Sequence, residues 1–585
     1  MESALVKMTR SIMDCCICVT VILLLANSAN VSGESPTTHS APLNECPVKL
    51  HIDGEQGPSA RISDCSSGKP VSLFTEGIAE EIEVKDNVLP ALTPSLFSNV
   101  PPTINFVRPD QKVEELPQTI RDRLKYYASP SSPIAYYVSF SGFTQTQDVW
   151  EYTVFYGLPY QINMARDYLS VLPHQKFNHI PDSWALGCKD QLGRNLQRFK
   201  AKYGEEDYGI FPETFVLPED KVALKRAWNS SNKHRTWLLK PPCAFGGRGI
   251  EVVQDWKKVP KKEHTVVQRY ISNPLLVNGS KIDLRVYVHV TSINPLRIYV
   301  NPEGLVRISV EKYTMKDINN RAIHLTNKDI NDKNSLYYVD EQLTEGNRRS
   351  LTWLWDHLKE NYGVERQPIW DRIKDLVIKT VLSGEDTMQR STQHFIRNRY
   401  SVHELFAFDI LLDGNMKPWV MEVNVSPRFT TNVFTKLIDP LLTSMLNLAG
   451  IQIPAVDMLP NLKHSPETVP KNLLMDRRLW TQQLTEEEKE KHQTYTTITD
   501  QLQTTLSTIL DTLTPDDMRM LIETVDENNR RGQFERMEYG IWKDGNQHQR
   551  LRYITDSLSG QDITIFSLTN GFNVIIKTKR RGYKF

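Results

Sequence analysis

The chain carries no surplus charge of either sign: Lys+Arg and Asp+Glu both total 70 in 585 residues. Such a balance gives no global signal for a nucleic-acid, membrane-surface or acidic partner, so any surface of that kind has to be local. Cysteine is scarce at seven, and three of these, Cys15, Cys16 and Cys18, fall in one apolar run. The remaining Cys46, Cys65, Cys188 and Cys243 are too few and too scattered to predict a disulfide framework or a zinc site, and they fit a reduced compartment. There is no internal repeat and no long low-complexity tract. A Gly-Lys-Ser/Thr loop opening a helix and Rossmann glycine spacing are both missing, which excludes the two commonest nucleotide cradles.

The N-terminus has a definite layout. Lys7 and Arg10 precede an apolar run from Ile12 to Ala26, and small residues follow from Asn27 to Ala29. This is the pattern of a secretory signal peptide or short anchor; Asp14 and the shortness of the run count against a membrane span. The opposing reading is a disordered or mis-assigned leader on a cytosolic protein. Residues 30–45 are small, polar and proline-containing, as in a linker. From these shifts the expected division is a leader at 1–29, a linker and ill-defined region at 30–93, N-terminal and central subdomains at 94–235, a catalytic core at 236–455 and a charged helical extension with a basic tail at 456–585. The fold class expected is α/β (α+β).

Strand-like segments follow at 236–242, 265–271, 283–291 and 296–300, the last leading through an apparent turn at Asn301-Pro302-Glu303-Gly304. Residues 350–392 have helical spacing of apolar side chains. Then comes FDILLDGNMKPWVMEVN, Phe408 to Asn424, where Asp409, Glu422 and Asn424 interrupt two apolar strands around an Asp413-Gly414-Asn415 turn. Residues two apart on a strand share a face, so Glu422 and Asn424 point together and a tight turn brings Asp409 across from them. Two carboxylates and an amide carbonyl form a hard-oxygen set suited to Mg²⁺ shared with nucleotide phosphates. A solvated strand face is the bland alternative, and the apolar surroundings weaken it.

Upstream, KPPCAFGGRGIEVV (Lys240 to Val253) puts a strand-ending lysine before a glycine-rich turn, a combination suited to phosphate. Gln268 to Ile271 end a strand whose backbone could read an adenine edge. Lys281 and Asp283 share a face, and Arg285 and Arg307 offer guanidinium forks for a carboxylate. His324 to Asn331 is a polar loop. Singly, each of these is more often an ordinary turn or surface position.

In order, Lys240-Pro241 with Gly247-Arg248-Gly249-Ile250, Gln268-Arg269-Tyr270-Ile271, Lys281-Ile282-Asp283-Leu284-Arg285, His324-Leu325-Thr326-Asn327 and Phe408-Asp409 through Glu422-Val423-Asn424 resemble the tubulin tyrosine ligase-like family. The resemblance covers roughly residues 94–455 and looks closest to the tubulin polyglutamylase branch. It implies an ATP-grasp catalytic core, with an N-terminal α/β subdomain and a C-terminal helical extension. By resemblance, Lys240 contacts ATP phosphates, and Gly246, Gly247, Arg248, Gly249 and Ile250 form the phosphate loop. Gln268, Arg269, Tyr270 and Ile271 hold adenine; Lys281, Ile282, Asp283, Thr326 and Asn327 complete the nucleotide site; and Asp409, Glu422 and Asn424 bind Mg²⁺. Arg307 holds the carboxylate of the incoming amino acid and acts in catalysis with Lys240, while Lys328 and Asp329 lie near that substrate.

The implied reaction adds free L-glutamate through an isopeptide bond to γ-carboxylates in the acidic tail of tubulin, by way of an acylphosphate. It needs no nucleophilic side chain. Three departures bear on substrate handling: Gly246 stands where the family usually has arginine or glutamine, a determinant of initiation versus elongation; Lys328-Asp329 replace Tyr-Ser; and Arg428 follows Ser-Pro. Expected partners are tubulin or microtubules, with the chain a monomer in the cytoplasm or cytoskeleton (a cilium basal body included). No nucleic acid is expected, and a membrane only if the leader is a real anchor. Lys257, Lys258, Lys261 and Lys262 with the terminal Lys577, Lys579, Arg580, Arg581 and Lys584 are the basic surfaces offered to an acidic tail. Two rival readings are a ligase for glycine or for a non-tubulin acidic protein, and a catalytically weak microtubule-binding module.

Overall fold

The computed structural model describes residues 88–454 apart from 97–99, 130–131, 149–150, 160–161, 163–166, 173, 231–235 and 430–434, then 515–537, Glu486 and Glu490, and strand backbone at 49–53, 59–63, 71–72, 562–568 and 571–577. The leader, the linker at 30–45 and the terminal Lys579, Arg580, Arg581 and Lys584 lie outside the described residues. Among the described residues no helix is long and apolar enough to cross a membrane.

The N-terminal layer is a parallel sheet. Strand β1 (Lys125–Ala128) leads through helix α1 (Ile134–Phe140) to a short parallel neighbour at Thr144–Gln145, and pairs on its other edge with β2 (Val154–Tyr156). Helix α2 (Lys189–Tyr203) then precedes an antiparallel sheet of β3 (Thr214–Leu217), β4 (Trp237–Lys240), β5 (Glu251–Val253) and β6 (Thr265–Arg269), in the order β3-β6-β4-β5. Helix α3 (Lys221–Ser230) covers one face of this sheet, placing Leu224 and Trp228 against Trp237, Leu239 and Val267.

The largest sheet comes from β7 (Ser280–Ile293), β8 (Leu296–Lys312), β9 (Arg348–Ser350), β10 (Glu404–Leu412) and β11 (Pro418–Val425), ordered β9-β8-β7-β10-β11 and antiparallel throughout. Two helices intervene, α4 (Leu351–Tyr362) and α5 (Arg366–Phe395). Alternate residues of the sheet enter two different cores. Val286, Val288, Phe406 and Phe408 pack with Trp370, Ile373, Val377 and Val381 of α5. Tyr287, Leu405 and Ala407 pack instead with Leu441, Leu442 and Met445 of α6 (Thr435–Ala449). With both faces covered, the strands read as continuous apolar runs rather than as alternating ones. Helix α4 is capped at both ends: Ser350 Oγ accepts from the Trp353 amide at 3.0 Å, and Gly363 closes it in the left-handed region at φ 65°.

The Asn301-Pro302-Glu303-Gly304 signal does not make a turn. Strand β8 runs through it, and the extra length is absorbed by a register shift between the Val286 and Val288 pairs of β7. Glu303 is spent locally, accepting from the Leu351 amide at 2.7 Å.

The C-terminal region is also more than a helical extension. Helix α7 (Pro515–Asn529) is anchored to the large sheet where Glu527 accepts from Arg297 Nε at 3.0 Å and from Thr291 Oγ1 at 2.7 Å. Strand β12 (Glu535–Arg536) then pairs with β8. Strands at Asp562–Leu568 and Gly571–Lys577 form an antiparallel pair within what was expected to be helix.

Candidate active site

The hairpin of β10 and β11 has the expected register, with Asp409 opposite Glu422 and Ala407 opposite Asn424. Its turn is tied by Asp413, whose Oδ1 accepts from the Asn415 and Lys417 amides at 2.9 and 3.0 Å. The positive φ falls on Met416, at 60°, rather than on Gly414 or Asn415. Asn424 Nδ2 donates to the Ala407 carbonyl at 3.2 Å, so its carbonyl oxygen is the atom left for a ligand.

Asp409 is buried and doubly paired. Arg285, opposite it on β7, makes a bidentate contact at 2.9 and 2.9 Å, and Arg307 Nη2 reaches the same carboxylate at 2.8 Å. Burial pushes the Asp409 carboxyl up, but the Arg285 and Arg307 charges outweigh it and hold the group well below the usual carboxylate range. Arg307 also pairs with Asp283 across β7 and β8, at 2.5 and 2.8 Å, and Thr326 Oγ1 donates to Asp283.

Facing these acids are lysines from three elements. Lys240, ending β4, donates to Gln268 Oε1 at 2.6 Å and approaches the Met421 carbonyl at 3.5 Å. Lys281 donates to the His324 carbonyl at 3.0 Å and to Tyr270 Oη at 3.3 Å. Burial lowers both lysines to about 8. Lys189, the first residue of α2, bridges the Glu422 carboxylate at 3.2 Å and the Ala244 carbonyl at 2.7 Å. Arg348 lies in register with Arg307, buried, with Nη1 making no hydrogen bond among the described residues. Six cations (Lys189, Lys240, Lys281, Arg285, Arg307, Arg348) thus face three carboxylates (Asp283, Asp409, Glu422), a surplus of three positive charges for a polyanionic ligand.

The glycine-rich turn follows Lys240. Gly246, Gly247 and Gly249 have φ of 67°, 72° and 68°. A Cβ on Gly246 would come 2.6 Å from Asp329 Oδ2, and one on Gly247 would come 2.8 Å from Asn327 Oδ1. The loop therefore lies directly against the His324–Asn331 segment, and glycine is what permits the approach. Next to it a cleft is lined by Lys189, Leu192, Phe211, Val266, Gln268 and Met421, an apolar slot closed by amide and ammonium groups.

Of the residues expected at the site, Lys240, Gly246, Gly247, Gln268, Tyr270, Lys281, Asp283, Arg307, Thr326, Asn327, Asp409, Glu422 and Asn424 come together around these contacts. Gln268 has its side chain committed between Lys240 and Thr214 Oγ1, the latter at 3.0 Å. Arg269 points to the other side of β6, pairing with Glu213 and covering Trp237 at 4.7 Å. Ile250 and Ile282 are buried packing residues, and Arg248 lies exposed over Phe245. Lys328 and Asp329 are exposed, Asp329 against the loop. Lys189 and Arg348 were not foreseen; a lysine opening a helix and an arginine on a three-residue edge strand have no distinguishing pattern.

The reading of Cys46, Cys65, Cys188 and Cys243 as too scattered for disulfide pairing is corrected for one pair. Cys188, the N-cap of α2, and Cys243, in the loop after Lys240, form a disulfide across Cα atoms 4.7 Å apart. They are separated by 55 positions, and nothing in that spacing announces the contact.

Residues 165–461 match the tubulin-tyrosine ligase family. The chain is 37% identical over 516 residues to tubulin monoglutamylase TTLL4 of Homo sapiens, a match covering 85% of this chain and 42% of that protein. The corresponding protein of Mus musculus is 39% identical over 483 residues, covering 80% of this chain and 40% of its own length. Tubulin polyglutamylase ttll-4 of Caenorhabditis elegans is 33% identical over 455 residues, covering 77% of this chain and 73% of that protein. The chain thus spans about two fifths of the length of the two mammalian relatives. Two antiparallel sheets meeting at a lysine- and carboxylate-lined cleft form a mixed α/β arrangement of the ATP-grasp type, and the chain belongs to the tubulin-tyrosine ligase family.

Proposed function

We propose that the chain is an ATP-dependent protein glutamylase acting on the acidic C-terminal tail of tubulin. The observation that carries this reading is the convergence of Asp409, Glu422 and Asn424 with Lys189, Lys240 and Lys281 where the two sheets meet. The family, and the tubulin glutamylase activity for which its relatives are named, support the donor and acceptor.

In this reading ATP lies where the two sheets meet, with its phosphates toward Lys240, Lys281 and the glycine loop. The donor set of Asp409, Glu422 and Asn424, all hard oxygens on one strand pair, fits Mg²⁺, which when bound offsets phosphate charge. The acceptor γ-carboxylate takes the γ-phosphoryl group, releasing ADP. The α-amine of free glutamate attacks the resulting acyl carbon, phosphate leaves and an isopeptide bond forms. Arg307 and Arg348 are the forks that hold the incoming carboxylate. The protein's own contribution is positioning and charge compensation. The acceptor tail meets Lys257, Lys258, Lys261 and Lys262, which lie in and beside the exposed segment before β6. Gly246 bears on whether a chain is started or extended, and the working compartment is the cytoplasm or cytoskeleton.

The test is incorporation of labelled glutamate, with glycine in parallel, into microtubules supplied with Mg-ATP, comparing wild type and Glu422→Gln. Glutamate incorporation lost in the variant supports the reading; glycine alone moves the donor; no incorporation with ATP still bound favours a binding module or another acceptor.

A further inference from the structure

The loop that follows Lys240 is covalently tied to the helix that carries Lys189. Cys243 is exposed and Cys188 is 9% exposed. On either side of the bridge the Lys189 amide donates to the Pro242 carbonyl at 2.8 Å and Lys189 Nζ to the Ala244 carbonyl at 2.7 Å. The same Nζ contacts Glu422 at 3.2 Å. The first half of the loop is therefore held by one covalent and two polar contacts, and all three involve consecutive residues at the start of α2. The second half, with glycines at 246, 247 and 249, leans on the Asn327–Asp329 wall, and Arg321 Nη2 donates to the Gly247 carbonyl.

We propose that Cys188–Cys243 is a reversible thiol–disulfide modification site that sets how firmly the phosphate loop is held, a proposal that rests on the nucleotide reading given above. One partner, Cys243, is open to a reagent, and the other, Cys188, is buried at the start of a helix next to Lys189. The oxidant is a low-molecular-weight disulfide. The Cys243 thiolate attacks it, forming a mixed disulfide and releasing one thiol. The Cys188 thiolate then displaces the second thiol and closes the bridge. Two protein thiols are oxidised and one reagent disulfide is reduced to two thiols, which carry the two protons. Oxidised, the loop is preorganised next to Lys189 and Lys240; reduced, it keeps only the polar contacts.

The test uses the full chain equilibrated in glutathione buffers from reducing to oxidising, then quenched by alkylation. Three quantities are read: the Cys188–Cys243 cross-linked peptide by mass spectrometry, tryptic cleavage after Arg248, and ATP affinity by calorimetry. The cross-link is expected to titrate in one two-electron step. Cleavage after Arg248 should be faster and ATP binding about three- to tenfold weaker on the reduced side, the loss expected when a preorganised loop is released. Cys188→Ser, with Cys243→Ser as a second variant, should stay at the reduced wild-type values in every buffer. Absence of the cross-link, equal cleavage and affinity in both states, or a Cys188→Ser protein that still responds would overturn the proposal. Zinc retained by the reduced protein and ejected on alkylation, with no cross-link formed, would also overturn it. That result would assign Cys188, Cys243 and Asp190, whose ligand atoms lie within 4.8 Å of one another, to a metal. Loss of ATP binding in both states, with cross-link and cleavage still titrating, would overturn the nucleotide reading while leaving the thiol pair in place.

Discussion

Arg285 and Asp409 face each other on neighbouring strands and share two parallel hydrogen bonds of 2.9 Å, the carboxylate enclosed and the guanidinium partly so. The pair is the hub of the site, because the same carboxylate also takes Arg307. Replacing Asp409 by Asn takes the counter-charge from Arg285 and leaves Arg307 paired with Asp283, and a loss of about 3 kcal/mol is expected, measured by denaturant unfolding. The pH dependence has a definite sign. A carboxylate whose folded pKa is depressed contributes stability above its unfolded value of about 4 and loses it as pH falls. The gap between wild type and Asp409→Asn should therefore narrow below about pH 4.

Lys240 and Lys281 are both held down to about 8 by burial, so above that pH the empty site loses cationic charge. Under the proposed function ATP restores it, and calorimetry in buffers of different ionisation enthalpy should show proton uptake near pH 8, with weaker affinity as pH rises. Folding runs the other way. Between about 8 and the model-peptide value near 10.4 the unfolded chain binds more protons, so unfolding free energy rises with pH. Lys240→Met should remove part of the proton uptake; an unchanged uptake would show that Lys240 does not meet phosphate.

Gly246 and Asp329 cannot both carry bulk where they meet. Gly246→Ala combines a left-handed backbone with a Cβ placed 2.6 Å from Asp329 Oδ2. About 1–2 kcal/mol of strain is expected, read as a five- to thirtyfold weaker ATP affinity if the loop distorts. Adding Asp329→Ala removes the clash but not the backbone cost, so the double variant should recover only part of the affinity.

Arg297 and Glu527 form the buried tie between β8 and α7. Burial works against the Arg297 charge, and Glu527 more than offsets it, raising the guanidinium's pKa. Glu527→Gln should cost about 3 kcal/mol, whereas Arg297→Met with Glu527→Met should return close to wild-type stability, since removing both charges leaves none uncompensated. Thermal unfolding of the two variants decides it.

How much of this was legible in the sequence follows from interaction range. Asp409, Glu422 and Asn424 could be placed together because a hairpin and the two-residue strand period are local rules. Gly246 and Gly247 could be assigned to a loop, but only the folded chain shows that Asn327 and Asp329 are the wall they lean on. Lys189, Arg348 and the Cys188–Cys243 bridge depend on contacts between distant segments, which no local spacing encodes. The turn signal at Asn301–Gly304 misled for a related reason: proline and glycine signal breaks, yet pairing with β7 at Val300 and at Gly304 kept the strand intact around a register shift.

That uninterrupted strand has a wider consequence. Arg297 near its start holds α7, and Arg307 ten positions on holds Asp409, a span of about 33 Å along one strand at ~3.3 Å per residue. A single beam thus supports the candidate site at one end and a segment more than two hundred residues later in the chain at the other. What looks in the sequence like a tail is a structural member of the sheet that carries the candidate site, and a fragment ending at residue 455 would be missing one of that sheet's own supports.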